Sequence, residues 1–374
     1  MLKLDNSKEY NNRFKEYYKL NYHVLESMAD WVRVIDVHGK VIYANKVMKK
    51  ALGDNIIGTK CNVHCIQETP CCFCIVERSI YADEVIQKEE ILDGKYYSVK
   101  SSPVKDNDGN IIAAVEVFRD VSRERKLEQK LRTKNEKMSQ DLDTAKRIQE
   151  KILPEPGKLG NLKLDFLYRP SEMLSGDMFD IFHIDSDNIG IYISDVSGHG
   201  VTASMMTMFI RQSMRFIKDE ILSPSIALSE LHRRFCTLQL DIDKYFTIFY
   251  GVFNKSTYEF KYANAGHNSI PLRINDAGIE ALEISGYPIS LLFDNIRYTE
   301  KKVKLDINDK ILLYTDGVTE VKDLEGSEFG IDNLINILKE NDENILSKIE
   351  KKIFDYGKGI QEDDFALMLL EVLK

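Results

Sequence analysis

Residues 188–200 read NIGIYISDVSGHG, an apolar run of strand type that passes at Asp195 into a glycine-rich turn. The next residues, VTASMMTMFIRQSMRFI, form a helical stretch, and further strand-like runs follow downstream. Strands dominate residues 154–374 and several follow one another directly, which favours a layered α+β or α/β domain over a doubly wound parallel sheet. The further runs are KYFTIFYGVFN, YEFKYANAG, DKILLYTDG and DFALMLLEVL.

Four aspartates lie at or near the ends of these strands. Asp195 and Asp316 each end an apolar strand and begin a turn that contains glycine. Asp363 comes just before the run FALMLLEVL, and Asp177 lies in SGDMFD. Each alone is explained by capping its own turn, but four in comparable places indicate convergence on a positive charge, because an unpaired buried carboxylate is costly. Carboxylates without His or Cys favour Mg²⁺ or Mn²⁺, and two such ions can activate water against a phosphate.

Seven short motifs occur in order in this part of the chain: AKRIQEKILP, SGDMFD, SDVSGHGVTASMM, YFTIFYGVF, YANAGHNSIPL, YTDGVTE and DDFALMLLEV. Together they resemble the metal-dependent protein phosphatase (PPM) family, in its bacterial RsbU and SpoIIE branch, over residues 145–374. Ser175 stands where the family has the first Gly of its GGD motif. The resemblance implies an α-β-β-α sandwich of two stacked sheets. It also implies hydrolysis of phosphoserine or phosphothreonine by metal-activated water.

The resemblance implies that the four aspartates are ligands of two Mn²⁺ or Mg²⁺ ions. Asp177 bridges both ions in this assignment. Asp195 holds the second ion together with the backbone carbonyl of Val196, and Asp316 and Asp363 hold the first. The four side chains are thus expected to act in catalysis through the water that the ions activate.

Other polar residues near these motifs have plainer explanations. Asp364 and Asp180 are expected to be structural, with Asp180 hydrogen-bonded to its turn. His199 and His267 lie in glycine-containing turns, where a hydrogen bond to loop backbone is favoured over a role as general acid. Arg169 precedes the first aspartate motif and is expected to be a surface charge in preference to a phosphate ligand.

Residues 122–153 contain neither Gly nor Pro and are rich in strong helix formers, which predicts one long helix. Apolar residues recur along it every seven positions, but Glu128, Asn135 and Gln149 occupy other core positions of the heptad. The weak seam favours a coiled coil that pairs two copies of the chain, with a solvated connector helix as the alternative. The apolar residues of the seam are Leu131, Met138, Ala145 and Ile152.

Residues 1–121 mix short helical patterns with strand-like runs, which predicts a small α+β domain with an antiparallel sheet. His38-Gly39 and Asp108-Gly109 lie between apolar runs, as hairpin turns do. The runs are WVRVIDV (31–37), KVIYAN (40–45), EEILDGKYYSVKSSPV (89–104) and IIAAVEVFRDV (111–121).

The segments VIDVHGKVIYANKVMKKALG and IIAAVEVFRDVSRERKLEQKL resemble the beginning and the end of a PAS domain. Asn45 stands at the strand-to-helix position, and Asp120 stands in the exit motif before the signalling helix. The resemblance implies an N-terminal PAS sensor with a five-stranded antiparallel sheet and flanking helices. PAS domains often dimerise, so a homodimer through this domain and the linker helix is expected.

Five of the six cysteines lie between positions 61 and 74, in the part of a PAS domain that lines the pocket. Cys71 and Cys74 have the two-residue spacing of zinc and iron–sulfur ligands, and Cys61, Cys65 or His64 could complete such a set. Zinc, an iron–sulfur cluster and redox-active thiols all fit this pattern, and so does a set of small buried residues.

The chain has 374 residues and a net charge of −9. An acidic chain is a poor nucleic-acid binder, and the chain is expected to be cytoplasmic without a membrane span. The expected function is a regulated protein phosphatase that acts on a phosphorylated regulatory protein, such as an anti-sigma-factor antagonist. Two alternatives remain open: a catalytically silent phosphatase-like module that binds partners, and a two-metal phosphoesterase that acts on a small molecule.

Overall fold

The structure, a computed structural model, describes residues 19–61, 74–217, 219–293, 296–340, 344–359, 361 and 363–374. The chain divides into two compact units, Met1–Lys137 and Met138–Lys374. The division falls inside one long helix, Ser122–Ile152. Among the residues described, every helix is too short or too polar to cross a lipid bilayer.

The first unit contains five strands, β1 (Trp31–Asp36), β2 (Val41–Ala44), β3 (Ile86–Leu92), β4 (Lys95–Lys105) and β5 (Ile111–Asp120). They form one antiparallel sheet in the order β2-β1-β5-β4-β3. Gly39 and Gly109, with φ of 79° and 87°, lie in the β1–β2 and β4–β5 turns, which confirms both predicted hairpins. The five-stranded antiparallel sheet of a PAS domain is likewise confirmed.

Residues 89–104, which the pattern predicts as one strand-like run, are divided between two strands. β3 ends at Leu92 and β4 begins at Lys95. Asp93 and Gly94 have φ of 51° and 72° and form a further hairpin turn between them. The prediction that residues 89–104 form one strand-like run is therefore wrong. The Asp-Gly turn lies within a continuous series of strand-like residues and divides it into two strands.

Among the described residues, the α-helices beside this sheet are α1 over residues 19–27, α2 (Lys46–Leu52) and α3 (Ile75–Ala82). Asn45 is fully buried between β2 and α2, at the position that the PAS resemblance gives it. Its Oδ1 accepts the N–H groups of Met48 and Val32 at 3.1 and 3.2 Å. Its Nδ2 donates to the carbonyl oxygen of Asp30 at 2.9 Å. This one amide therefore caps α2 and fixes it to the sheet.

Helix α4 (Ser122–Ile152) is unbroken over 31 residues, as the sequence predicts. It begins after Asp120, whose Oδ1 accepts the N–H of Ser122 at 3.0 Å. Leu131 and Met138 of the predicted seam are 62% and 61% exposed, whereas Gln149 near the end of the helix is buried. The apolar line of the seam is thus on the surface of the chain, and only the last turns of α4 are packed.

The second unit contains two antiparallel sheets. Its strands are β6 (Gly157–Leu159), β7 (Leu162–Arg169), β8 (Asp177–His183), β9 (Asn188–Val196), β10 (Tyr245–Asn254), β11 (Glu259–Ala265), β12 (Leu272–Asn275), β13 (Gly278–Ala281), β14 (Ile289–Ser290), β15 (Lys301–Lys304), β16 (Lys310–Tyr314) and β17 (Phe365–Val372). The first sheet has the order β15-β11-β10-β9-β8, with β14 paired to β10. The second has the order β13-β12-β16-β17-β7-β6. A layered arrangement is confirmed.

Both sheets are buried on their two faces, which explains why their strands read as continuous apolar runs. Four helices provide the outer layers: α5 (Gly200–Phe216), α6 (Pro224–Cys236), α7 (Gly330–Leu338) and α8 (Ile345–Tyr356). Ile191 of β9 and Met368 of β17 lie in the core between the sheets. Their neighbours Tyr192 and Leu367 point outward, to the core under α5 and α6 and to the core under α7 and α8. The unit is an α-β-β-α sandwich, as predicted.

Candidate active site

Asp177 and Asp195 face each other on two neighbouring strands of the first sheet. Asp177 is the first residue of β8 and is buried, and Asp195 lies one residue before the end of β9. The antiparallel register pairs the two residues directly. The β8–β9 hairpin therefore places both carboxylates at one end of this sheet.

Asp316 and Asp363 come together in the second sheet. Asp316 opens a 3-10 turn just after β16, and Asp363 lies just before β17. Since β16 and β17 are antiparallel neighbours, the end of one lies beside the beginning of the other. Gly317 permits the close approach, because a Cβ atom there would lie 2.0 Å from the carbonyl oxygen of Asp364.

Thr315 joins the two sheets at this edge. Its Oγ1 donates a 2.7 Å hydrogen bond to Asp177 Oδ2 in the first sheet and accepts the N–H of Ala366 at 2.9 Å in the second. Thr315 is fully buried, so both bonds are shielded from water. The motif YTDGVTE contains this threonine, but nothing in the sequence distinguishes it from an ordinary residue at a strand end.

His267 makes a further link between the sheets. Its buried ring donates from Nε2 to the carbonyl oxygen of Tyr314 at 2.9 Å, which leaves Nδ1 to accept from Thr247 Oγ1 at 3.3 Å. Burial lowers the pKa of His267 to about 4, so the ring is neutral at pH 7. The predicted hydrogen bond to backbone is confirmed for this histidine.

Asp364 and Asp180 have structural partners, as expected. Asp364 accepts the N–H and the hydroxyl of Ser171 at 2.6 and 2.7 Å, and the N–H of Gly176 at 2.6 Å. These bonds hold the loop that precedes β8. Asp180 is fully buried and forms an ion pair with Arg215 of α5, with 2.7 Å between Oδ2 and Nε. The prediction that Asp180 bonds its turn is therefore wrong in its partner, which is a helix two elements away.

Gln149 connects α4 to the loop that carries Asp177. Its buried side chain donates from Nε2 to the carbonyl oxygen of Ser175 at 2.7 Å and accepts the N–H of Ser175 at 3.0 Å. Ser175 Oγ in turn accepts the N–H of Asp177 at 3.0 Å. The heptad pattern places Gln149 in a coiled-coil core, which is wrong, because its side chain packs inside the second unit. In the sequence, Gln149 was marked only as one of three polar residues at core positions of the heptad and as part of the motif AKRIQEKILP.

The aspartates of the two sheets are close enough for their charges to interact. Burial and then the charge of Asp195 raise the pKa of Asp177 well above its usual range. Burial raises the pKa of Asp195 to about 7, and the charges of Asp316 and Asp363 add to this effect. Burial also raises the pKa of Asp316. Such mutual repulsion is the electrostatic state that a bound cation relieves.

The four aspartates share one edge of the sandwich, but they do not form a finished ligand set. In the part of the chain that the structure describes, no three Asp, Glu, His or Cys side chains are arranged to hold an ion. The donor chemistry fits Mg²⁺ or Mn²⁺, since all four groups are carboxylates and Mg²⁺ usually keeps several of its waters. Their roles as ligands, and that of the Val196 carbonyl, stay predictions.

Two further charged residues flank the strands of this edge. His199 is exposed, and its Nδ1 lies 3.0 Å from Glu172 Oε1. Arg169 forms an ion pair with Glu350 and is more than half exposed, as expected of a surface charge. Both residues are held by acidic partners at the surface, so neither by itself indicates a phosphate site.

The cysteine cluster of the first unit is described only in part. Cys65 and Cys71 lie outside the described residues, as does His64. Cys61 and Cys74 are hydrogen-bonded to each other and line a cavity of about 360 Å³. No metal-binding group of three or more side chains occurs in the described segments around them. A zinc or iron–sulfur site in this unit stays a prediction.

Comparison with known families identifies both units. Residues 185–373, which are half of the chain, match the family described as Stage II sporulation protein E (SpoIIE). Residues 25–126 match the PAS fold. The chain therefore belongs to the SpoIIE family and carries a PAS domain in its N-terminal part, as its two sequence resemblances predict.

Curated relatives and solved structures agree with this assignment. The chain is 29% identical over 251 residues to phosphoserine phosphatase RsbP of Bacillus subtilis (strain 168), covering 65% of this chain and 59% of RsbP. It is 27% identical over 248 residues to phosphoserine phosphatase RsbU of the same organism, covering 65% of this chain and 73% of RsbU. The chain thus matches less than two thirds of the length of RsbP.

In fold, the chain is similar to the SiaA-PP2C domain of Pseudomonas aeruginosa, with a TM-score of 0.56 and 21% identity over 63% of this chain and 98% of that domain.

The raised pKa of Asp195 predicts how the metal-free protein responds to pH. A carboxyl group whose pKa is about 7 in the folded state and about 4 in the unfolded state binds its proton more tightly when folded. Its contribution to stability is therefore lost as pH rises from about 4 through about 7. In EDTA, Asp195→Asn should raise the melting temperature by about 2 °C or more at pH 8 and by clearly less at pH 5.

Differential scanning calorimetry of the parent and of Asp195→Asn at the two pH values measures this difference. Asp165→Asn is the matched control, because Asp165 is exposed in the middle of β7. An equal effect of Asp195→Asn at both pH values would contradict the assignment of repulsion to this group.

Proposed function

We propose that this chain is a metal-dependent serine/threonine protein phosphatase whose activity is controlled by its PAS domain. The observation that carries the proposal is the edge where Asp177 and Asp195 of one sheet meet Asp316 and Asp363 of the other, with interacting charges. Membership of the SpoIIE family supports the reaction class, and so does similarity to two proteins named phosphoserine phosphatases.

Two Mn²⁺ or Mg²⁺ ions are the cofactors that these carboxylates would hold. Asp177 would contact both ions, Asp195 and the carbonyl oxygen of Val196 would contact the second, and Asp316 and Asp363 would contact the first. When bound, the ions supply a water that is activated for attack on phosphorus and positive charge that offsets the charge of the phosphate.

The protein itself holds the carboxylates in place against their repulsion. Thr315 fixes one oxygen of Asp177, and Ser175 fixes its backbone, so the orientation of this carboxylate is set before any ligand binds. Asp364 holds the preceding loop through three hydrogen bonds. Pre-arranged acids of this kind reduce the reorganisation that the reaction requires.

The substrate that we infer is a phosphorylated regulatory protein of the anti-sigma-factor antagonist type. Asp363 is exposed, and Asp195 and Asp316 are only partly buried, so the edge is open to solvent. An open edge suits a phosphoserine on a protein surface better than a small ester, which usually needs an enclosing pocket. The cytoplasmic location expected from the sequence stays a prediction.

Replacing single aspartates tests the proposed reaction. With Mn²⁺ and a protein phosphorylated on serine, Asp177→Asn and Asp316→Asn should each lower kcat at least about 100-fold, because even partners of metal ligands often cost 10- to 100-fold. Release of inorganic phosphate measures the rate. The exposed Asp165→Asn should keep the activity of the parent.

Three results would redirect the proposal. Unchanged turnover in both variants would remove the aspartates from the reaction. Equal or better turnover of p-nitrophenyl phosphate, compared with the phosphoprotein, would favour the small-molecule phosphoesterase. A parent chain that binds the phosphoprotein without turnover, in the presence of Mn²⁺, would favour the silent binding module.

Control by the PAS domain would act through α4 and Gln149. The side chain of Gln149 binds both backbone groups of the Ser175 residue, and Ser175 is bonded to the backbone of Asp177. Any movement of the end of α4 would therefore displace the loop at the first proposed ligand. Helix α4 begins directly after the last PAS strand, so a signal has a continuous covalent and helical route to this loop.

Gln149→Ala should uncouple the helix from the site. Loss of both hydrogen bonds to Ser175 should raise the Mn²⁺ concentration for half-maximal activity by roughly 10- to 100-fold. The loss of activity at saturating Mn²⁺ should be smaller. Titration of activity with Mn²⁺ measures the effect. Gln140→Ala, an exposed glutamine on the same helix, is the matched control. Identical Mn²⁺ curves for Gln149→Ala and the parent would contradict the coupling.

A homodimer through α4 and the PAS domain is the assembly that we propose. Leu131 and Met138 are seven residues apart and mostly exposed, which is costly for an apolar seam without a partner. The double variant Leu131→Glu and Met138→Glu should raise the dimer dissociation constant by about tenfold or more, as sedimentation would show. Lys134→Glu, off this seam, should leave it unchanged. A monomeric parent chain would refute the assembly.

A further inference from the structure

Cys61 and Cys74 form a thiol pair in the first unit, apart from the residues of the candidate active site. Their side chains are hydrogen-bonded to each other and line the same cavity of about 360 Å³. The N–H of Cys61 donates to the carbonyl oxygen of Gly39 at 2.9 Å, which anchors it to the β1–β2 turn. Cys74 is anchored at the beginning of α3. Two partly exposed thiols from different elements are thus held side by side where small molecules can reach them.

The two thiols are chemically different. Cys74 is the N-cap of α3, and its Sγ accepts the N–H of Glu77 at 3.5 Å. The hydrogen bond from Cys61 lowers the pKa of Cys74 to about 6, and the N–H groups at the helix start act in the same direction. The bond to Cys74 and burial raise the pKa of Cys61. The position of Cys74 at the N-terminus of α3 therefore favours the thiolate at this sulfur, with Cys61 as the neighbouring thiol.

We propose that Cys61 and Cys74 are a hydroperoxide-reactive dithiol that closes to a disulfide. The sulfur of Cys74 attacks one oxygen of the peroxide, so that an S–O bond forms, the O–O bond breaks, and the other oxygen leaves as water or an alcohol. The sulfur of Cys61 loses its proton and attacks the sulfur of Cys74, so that an S–S bond forms and water leaves. The two thiols lose two electrons, and one hydroperoxide is reduced.

A bound metal is the alternative for this thiol pair, and elemental analysis of the purified chain distinguishes the two. Structural zinc and iron–sulfur sites usually take four ligands. Around Cys61 and Cys74, within the segments described, no third Asp, Glu, His or Cys joins them in a set that could hold an ion. The proposed modification concerns the first unit alone and does not depend on the proposed phosphatase activity.

The test uses the purified, fully reduced chain with hydrogen peroxide as the probe, followed by alkylation of the remaining thiols. Trypsin cleaves after Lys60 and Arg78, which leaves five cysteines in one peptide. Glutamate-specific cleavage after Glu68 then separates Cys61 from Cys74. The expected product is a cross-linked pair of peptides whose fragmentation assigns the disulfide to Cys61 and Cys74.

Single substitutions separate the two roles. Cys74→Ser should slow peroxide consumption at least about tenfold, because it removes the thiolate. Cys61→Ser should keep the first step but stop at a sulfenic acid on Cys74, which dimedone traps. Cys236→Ser, which changes a cysteine of the second unit, is the control and should react as the parent does.

Three outcomes would overturn the proposal. The first is a disulfide from Cys74 to Cys71 or Cys72 in place of Cys61. The second is a Cys74→Ser variant that consumes peroxide as fast as the parent. The third is zinc or iron, found by elemental analysis, that must be removed before the thiols react, since that result would assign the cysteines to a metal site.

Discussion

Like charges repel, and the second unit is built so that four carboxylates meet at one edge despite this. Burial raises the pKa values of Asp177, Asp195 and Asp316, and repulsion between the carboxylates adds to the shift for Asp177 and Asp195. Two sheets that are each buried on both faces provide a frame stiff enough to hold these groups together. Thr315 and His267, which bond across the sheets, are part of that frame. The packing of the whole sandwich thus offsets the electrostatic cost of bringing the carboxylates of a hard-cation site together.

Local features of the fold could be predicted from the sequence because they depend on neighbouring residues. β9 covers the predicted apolar run and ends one residue beyond Asp195, and α4 ends one residue before its predicted limit. The four aspartates were identifiable because each lies beside an apolar run. The roles of Thr315 and Gln149 were not identifiable. Thr315 bonds Asp177, 138 residues away, through sheet register, and Gln149 bonds Ser175, 26 residues away, through helix packing. Arg215, the partner of Asp180, escaped prediction for the same reason.

The two units combine different chemistries in one chain. The second unit offers carboxylate oxygens at its acidic edge, and these suit hard divalent cations such as Mg²⁺ and Mn²⁺. The first unit offers sulfur, in a pair that suits electron transfer. The folds differ in the same way: among the described residues, the first unit has a single sheet with a cavity beside Cys61 and Cys74, and the second is a four-layered sandwich with an open edge.

Helix α4 has neither glycine nor proline along its 31 residues. Near its end, at Gln149, the side chain is hydrogen-bonded to Ser175. A helix without such an interruption has no residue at which it kinks readily, so a rotation at one end is carried to the other. Advancing it by one residue turns it by about 100°. Such a turn would break both hydrogen bonds between Gln149 and Ser175, so the loop before Asp177 opposes rotation of the last turn of α4.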